Sequence, residues 1–421
     1  EKIHIISSMD GHDETRQISS KIEKINNNGI KYDQIAVLVR AGYQTRAFEE
    51  RFVQIGLPYK VVGAKFYERL EIRDALAYFR VLLQNSDDLA LERIINVPKR
   101  GIGSRTVNII KNYARVERIS IFSAIEELIK TDELRPSVKQ SLIELIELFK
   151  NWEKDLNSIS HTELAIKILE ETSYIDHLKN DKTLESETRL ENIKELINAM
   201  SNFDNMIGFL EHISLVTDGD TDNTDGEISL MTLHASKGLE YEAVFLPCWE
   251  EGSFPSQRSL DENGLEGLEE ERRLAYVGVT RAKKFLTISY VSNRQIHGLW
   301  QNLIPSRFIN ELPNKGVIKL SGNVDYKNDY NNIPDFDFDQ DYKYVRNNEN
   351  SSNFRKKNNQ KLFNNNYAST YQAANFIDGD RVFHSKFGMG TVKYLEANKA
   401  NVNFDKAGNK NVITSFLTKH S

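Results

Sequence analysis

The chain has one cysteine, Cys248, so no internal disulfide can brace it. That suits a reducing compartment. No apolar run approaches the ~18 residues that cross a bilayer, and no signal-peptide pattern opens the sequence. A cytoplasmic protein without a membrane partner is expected. Excess positive charge is also missing, since the net charge is −6 over 421 residues. Binding to a polyanion would therefore rest on local basic patches and not on bulk charge. The pattern GxxxxGK[ST] occurs nowhere, so the loop that cradles nucleotide phosphates, with its lysine, is lacking. No apolar strand ends in an acidic run of the Walker B kind.

What is present suggests about three domains. Residues 35–40 (IAVLVR) are β-branched and nearly all apolar, which predicts a buried strand. Residues 44–55 place Ala47, Phe48, Phe52 and Ile55 on one helical face. A strand at 59–63 (YKVVG) and a helix at 71–83 follow. The alternation returns with strands at 228–234, 243–247 and 285–290 and a helix at 268–283. Strands alternating with helices predict a parallel sheet covered on both faces. Between these blocks, long helical periodicities such as 141–149 (SLIELIELF) predict a helical insert. Residues 323–375 are rich in Asn, Asp, Tyr and Lys, with few aliphatics, and predict a disordered linker. Short strands at 380–383, 390–394, 400–404 and 411–414 then predict a small β module.

Two segments carry chemistry. Residues 230–240 (LMTLHASKGLE) join a strand-like run to a small-residue turn and an acid. Residues 269–282 (EEERRLAYVGVTRA) form an amphipathic helix that delivers Arg281 at its end. A nucleotide-driven motor uses such parts: a turn near phosphates, an acid for ribose hydroxyls and an arginine for a γ-phosphate. Guanidinium suits the last task because it is planar, permanently charged and bidentate. An isolated TRA triplet would be an ordinary arginine at a helix C-terminus, favoured there by the dipole. The two segments together resemble the late motifs of superfamily 1 helicases, in particular the UvrD, PcrA and Rep group of DNA helicases.

The resemblance runs from near Ile5 to about Pro313. It implies a second RecA-like lobe at 1–84 and 227–313, interrupted by an inserted helical subdomain at 85–226. A linker at 314–375 and a Tudor-like β-barrel at 376–421 would follow, with HSKFGMGT (384–391) carrying that likeness. It also implies the C-terminal part of a longer protein. The chain begins at Glu1 and not at a methionine, which agrees with that expectation. The parent would be an ATP-dependent helicase, using Mg²⁺, that translocates 3′→5′ on single strands and acts in DNA repair and replication.

Residue roles transfer as follows. Arg281 would contact the γ-phosphate, and an arginine finger contributes roughly 10³–10⁵ in rate. Glu240 would hydrogen-bond the ribose, beside Gly238 in the same ATP-binding turn; a first-turn acid complementing the helix dipole is the plainer reading. His234 and Ser236 would meet the DNA backbone, giving register without sequence. Tyr67 and Arg69, in FYERLEIRD (66–74), would approach single-stranded DNA by stacking and charge; a packed aromatic pair beside solvated charges is the competing reading. His297, in IHGLW, stands where relatives usually carry Phe or Tyr, and its smaller ring predicts a weaker base contact. Lys99, Arg100, Gly101, Gly103 and Arg105, in PKRGIGSRT (98–106), resemble the GIG segment that touches duplex DNA, although GxG is often only a tight turn.

Partners implied are single-stranded DNA, single/double-strand junctions, the N-terminal helicase lobe, repair proteins and, through the terminal module, RNA polymerase, in a nucleoid-associated setting. A non-catalytic nucleic-acid-binding or regulatory fragment is the first alternative. A RecB- or AddA-type helicase–nuclease is the second, and a ~45-residue module is too small for its nuclease domain.

Overall fold

The computed structural model describes residues 2–181, 185–217, 226–296, 299–320 and 376–420. Seven strands form one sheet in the order β3-β4-β2-β5-β6-β1-β9. They are β1 (Ile3–Ser8), β2 (Ile35–Val39), β3 (Tyr59–Val61), β4 (Ile228–Thr232), β5 (Tyr241–Leu246), β6 (Ala282–Val291) and, after a two-stranded hairpin of β7 (Asn293–Ile296) and β8 (Leu299–Asn302), β9 (Val317–Leu320). Every neighbouring pair in the large sheet is parallel. A parallel sheet must be covered on both faces, and the pleat of β2 shows how this is met. Ile35, Val37 and Val39 pack with Ile18 and Ile22 of α1 (Gly11–Asn27) and with Phe48 and Phe52 of α2 (Thr45–Ile55). Ala36 and Leu38 point the other way, toward Leu274 and Ala275 of α12 (Gln257–Val279).

The helix expected at 268–283 is thus longer at its start, and it is kinked at Gly264, whose φ of 55° and ψ of −126° are non-helical. Strand β9 lies in the stretch read as the beginning of the linker. It pairs with β1, Ile3 opposite Val317, so the sheet extends past Pro313. The remaining linker residues, 321–375, lie outside the described residues.

The helical insert comprises α3 (Leu70–Leu83), α4 (Asp88–Ile94), α5 (Ser104–Glu117), α6 (Ile121–Leu128), α7 (Pro136–Asp155), α8 (His161–Glu171), α9 (Tyr174–Lys179), α10 (Ser186–Met200) and α11 (Met206–Thr217). Its apolar core starts at Phe66 and includes Ile72, Tyr78 and Phe79 of α3. The boundary expected at residue 84 leaves that helix with the lobe. Its buried face belongs to the insert, because periodicity reveals which face is apolar and not which neighbour covers it. Local signals fix several ends. Ser160 and Glu163 form a capping box at the start of α8, and Gly56, at a left-handed φ of 69°, closes α2.

Beyond a short helix, α13 (Arg307–Asn310), the terminal residues form an antiparallel sheet in the order β13-β12-β11-β10-β14. Its strands are β10 (Arg381–His384), β11 (Gly388–Glu396), β12 (Lys399–Phe404), β13 (Gly408–Ile413) and β14 (Leu417–Lys419). Val382, Val392, Val402, Phe404, Val412 and Leu417 make its core.

Candidate functional site

The turn after β4 is built by its own hydrogen bonds. The Leu233 amide continues the sheet by donating to the Val39 carbonyl. The Ser236 hydroxyl is buried and donates to the Leu233 carbonyl at 2.7 Å. The Leu239 amide closes back on the Ser236 carbonyl at 3.0 Å. Gly238 takes a φ of +85°, which side-chain-bearing residues rarely adopt. Ser236 is buried and shapes the turn, which exposes His234, Ala235, Lys237, Gly238, Leu239 and Glu240.

Helix α12 brings Arg281 to the same turn. Its Nη1 donates to the Leu239 carbonyl at 2.8 Å, its Nε to the Val277 carbonyl at 2.9 Å and its Nη2 to Thr280 Oγ1 at 3.0 Å. The Tyr241 amide donates to the Arg281 carbonyl. All three acceptors of the guanidinium are neutral, and among the described residues it has no carboxylate partner. Glu240 is exposed, with the Lys283 ammonium 3.9 Å away. The helix can approach the turn because residue 278 is glycine. A Cβ there would stand 2.6 Å from Leu233 Cδ2.

At the carboxyl edge of the neighbouring strand sits Arg40, which the sequence reading did not single out. Val39 pairs with Thr232 across β2 and β4, so Arg40 and His234 emerge side by side. Arg40 makes a bidentate pair with Glu271 of α12, Nε to Oε2 at 2.9 Å and Nη2 to Oε1 at 2.6 Å. Partial burial, with Arg40 nearby, pushes the His234 pKa down. The shift disfavours the charged imidazolium, and the neutral ring can offer a hydrogen bond without a charge. The available signal for Arg40 was a lone basic residue ending an otherwise apolar strand, since open parallel sheets place their ligands at carboxyl ends.

A second cluster lies along this edge and has no signature in the sequence. Arg294 of β7 places Nη2 3.2 Å from Glu14 Oε2, 3.2 Å from Glu250 Oε1 and 3.4 Å from Cys248 Sγ. Glu14 also accepts from the Ser289 hydroxyl and the Cys248 amide, and Glu250 from the Val291 amide. Both carboxylates are fully buried. Burial pushes Glu250 up to about 7 against the pull of Arg294, and pushes the Cys248 thiol well up. That thiol is not a reactive one.

Tyr67 is buried, whereas Arg69 is half-buried between the exposed Glu68 and Leu70. Tyr67 donates its hydroxyl to Glu50 at 2.6 Å. Arg69 donates to Asn192 Oδ1 at 2.8 Å and to the Gly42 carbonyl at 3.1 Å, with its guanidinium over the Phe66 ring. Beside them, Arg46 joins Glu50 of the lobe to Glu195 of α10. These contacts place Tyr67 and Arg69 at a junction that fastens the insert to the lobe. Locally, adjacent aromatic and basic residues look alike in both roles.

The GIG segment divides. Lys99, Gly101, Gly103 and Arg105 are exposed, and Gly101 has a left-handed φ of +73°. Gly103 precedes α5, which no side chain caps. Arg100 instead turns inward, donating to the Ile94 carbonyl at 2.8 Å and to the Tyr78 hydroxyl at 2.5 Å. It clamps the loop from below. His297 lies outside the described residues.

A seven-stranded parallel sheet with helices on both faces, interrupted by a helical insert, fits a RecA-like lobe of a nucleotide-driven motor. The family model of the UvrD-like helicase C-terminal domain matches residues 1–293, and the chain belongs to that family. It is 46% identical over 334 residues to a probable DNA helicase II homolog of Rickettsia conorii, covering 78% of this chain and 51% of the relative. It is 38% identical over 322 residues to the ATP-dependent DNA helicase PcrA of Staphylococcus aureus, covering 74% of this chain and 44% of the relative. The chain therefore spans about half the length of these curated relatives.

Proposed function

We propose that the chain is the second motor lobe, with its helical insert, of an ATP-dependent DNA helicase that moves 3′→5′ on single strands and opens duplexes during repair and replication. One observation carries this reading: the hydrogen bond from Arg281 to the Leu239 carbonyl, which holds a guanidinium free of carboxylates against the Gly238–Glu240 turn. Arg281 balances charge on the γ-phosphate and Glu240 accepts from the ribose. The loop that cradles the phosphates is supplied by a segment outside these 421 residues, and the isolated chain does not hydrolyse ATP. Among the described residues, no group of three or more His, Cys, Asp or Glu could hold a metal ion. Magnesium is assigned to the segment that carries the phosphate loop.

His234 and Arg40 contact the single strand at the sheet edge. Lys99, Arg105 and the uncapped amides of α5 contact duplex phosphates. The terminal module recruits RNA polymerase, and the protein works in the cytoplasm at the nucleoid. Non-catalytic DNA binding by this polypeptide alone is the second reading, favoured by the missing phosphate loop.

Fluorescence anisotropy with single-stranded, duplex and junction oligonucleotides tests the DNA assignments. Affinity should fall with salt. The pair Lys99→Ala and Arg105→Ala should lower the salt slope by roughly one per lost phosphate contact on junctions, leaving single strands unaffected. His234→Ala should weaken single-strand binding. Equal affinities for all variants on all substrates would refute the assignments.

A further inference from the structure

The inserted helical domain carries a notch that the rest of the insert leaves unfilled. Between α6 and α7 the chain turns through residues 129–134 and directs the carbonyls of Asp132, Glu133 and Leu134 outward. The ammonium of Lys386, from the turn between β10 and β11, meets these carbonyls at 2.7, 2.6 and 3.5 Å. The Glu133 carboxylate is buried, and its partners come from the terminal module. Its Oε1 lies 3.0 Å from His384 Nε2 and 3.4 Å from the Ile413 amide. A buried carboxylate without such partners is costly, so the notch is complete only when the module is seated.

Four further residues of the module, Asn411, Asn398, Ile413 and Phe416, add contacts. The Asp132 amide donates to the Asn411 carbonyl at 2.9 Å, and the Asn411 amide donates back to Asp132 Oδ2 at 3.1 Å. Asn398, from the turn between β11 and β12, donates to Tyr113 Oη at 2.8 Å and to Glu127 Oε2 at 3.0 Å. Ile413 is fully buried and belongs to the apolar core of the insert and not to that of its own sheet. Phe416 packs on Tyr113 with ring centroids 6.1 Å apart.

From this geometry we infer that the notch at Asp132–Leu134 is a dedicated docking surface whose occupant is the terminal β module of the same chain. The insert and the module then move as one body. Charge, hydrogen bonding and apolar packing are matched from separate turns and strands at once, which suits a specific interface better than a chance contact. The tether between them raises the local concentration of the module, so few contacts suffice to keep it seated. A protein bound to the outer face of the module would ride with the insert. One that needs the His384–Lys386 turn would have to displace the module first.

The test uses the full chain. The main-chain hydrogen bond from the Asp132 amide to the Asn411 carbonyl brings these residues together, and a disulfide needs Cα atoms about 4.4–6.8 Å apart. The pair Asp132→Cys and Asn411→Cys should close an intramolecular disulfide under mild oxidation, at a rate independent of protein concentration. The native Cys248 is buried and should not interfere. Adding Lys386→Ala removes the carbonyl clamp without touching the core of the module, and should slow closure by roughly tenfold. Free alkylation of both introduced thiols without closure would overturn the proposal. So would disulfides formed only between copies, or a rate indifferent to Lys386→Ala.

Discussion

In the full-length protein, Arg281→Ala is expected to leave ATP binding largely intact and to lower DNA-stimulated hydrolysis by roughly two or more orders of magnitude. The guanidinium is held at three points by neutral acceptors, so its charge is not spent on a carboxylate. It sits beside the Glu240 turn at the end of a helix that Gly278 lets pack closely. Arg281→Lys should recover little, because a point charge lacks the planar fork that reaches both the Leu239 carbonyl and a phosphate oxygen. Steady-state turnover with saturating DNA, beside nucleotide affinity by fluorescence, separates the two effects. Undiminished turnover in the alanine variant would remove Arg281 from the mechanism.

Arg294→Met should produce the largest loss of stability. The side chain serves two fully buried carboxylates at once. Removing one partner of a buried ionic cluster typically costs about 3 kcal/mol or more. The loss should depend on pH in a defined direction. Glu250 titrates near 7 in the folded protein and at 4.5 ordinarily. Its raised value favours the folded state fully below the ordinary value, and that contribution is lost as pH climbs through about 7. Without Arg294 the Glu250 carboxylate is harder to ionise, so the variant should lose more at pH 8 than at pH 5.5, where it can take up a proton. Thermal denaturation of both proteins at the two pH values, with Glu250→Gln as the non-titrating control, reads this out. An equal loss at both pH values would mean that the cluster does not carry the charge described here.

Much of the lobe was legible in the sequence. β2 is five consecutive apolar residues, and its neighbours share that character, so the parallel sheet and its two helical layers follow from burial alone. The approach of Arg281 to the Leu239 turn follows from two local motifs. Other features carry no local trace. Strand β1 mixes His4, Ser7 and Ser8 with its isoleucines, and its partner β9 is four residues long. The pair is made only when distant parts of the chain meet. Arg294 and Glu14 are separated by 280 positions, and neither is unusual where it stands. Tyr67 and Arg69 show the opposite difficulty. Their local pattern suits a nucleic-acid surface and gives no sign of the bonds to Glu50 and Asn192, which arrive from other helices. Arg100 likewise turns inward, where its acceptors are the carbonyls of Ile94, Ile95 and Val97 at the end of α4 and the hydroxyl of Tyr78.

The most direct test of the half-site account is DNA-dependent ATP hydrolysis by this chain alone, and again with a lobe carrying GxxxxGK[ST] supplied in trans or fused ahead of it. The account predicts no hydrolysis by the chain alone, and DNA-stimulated hydrolysis after addition that Arg281→Ala removes. Hydrolysis by the isolated chain, or a complemented activity indifferent to Arg281, would contradict it.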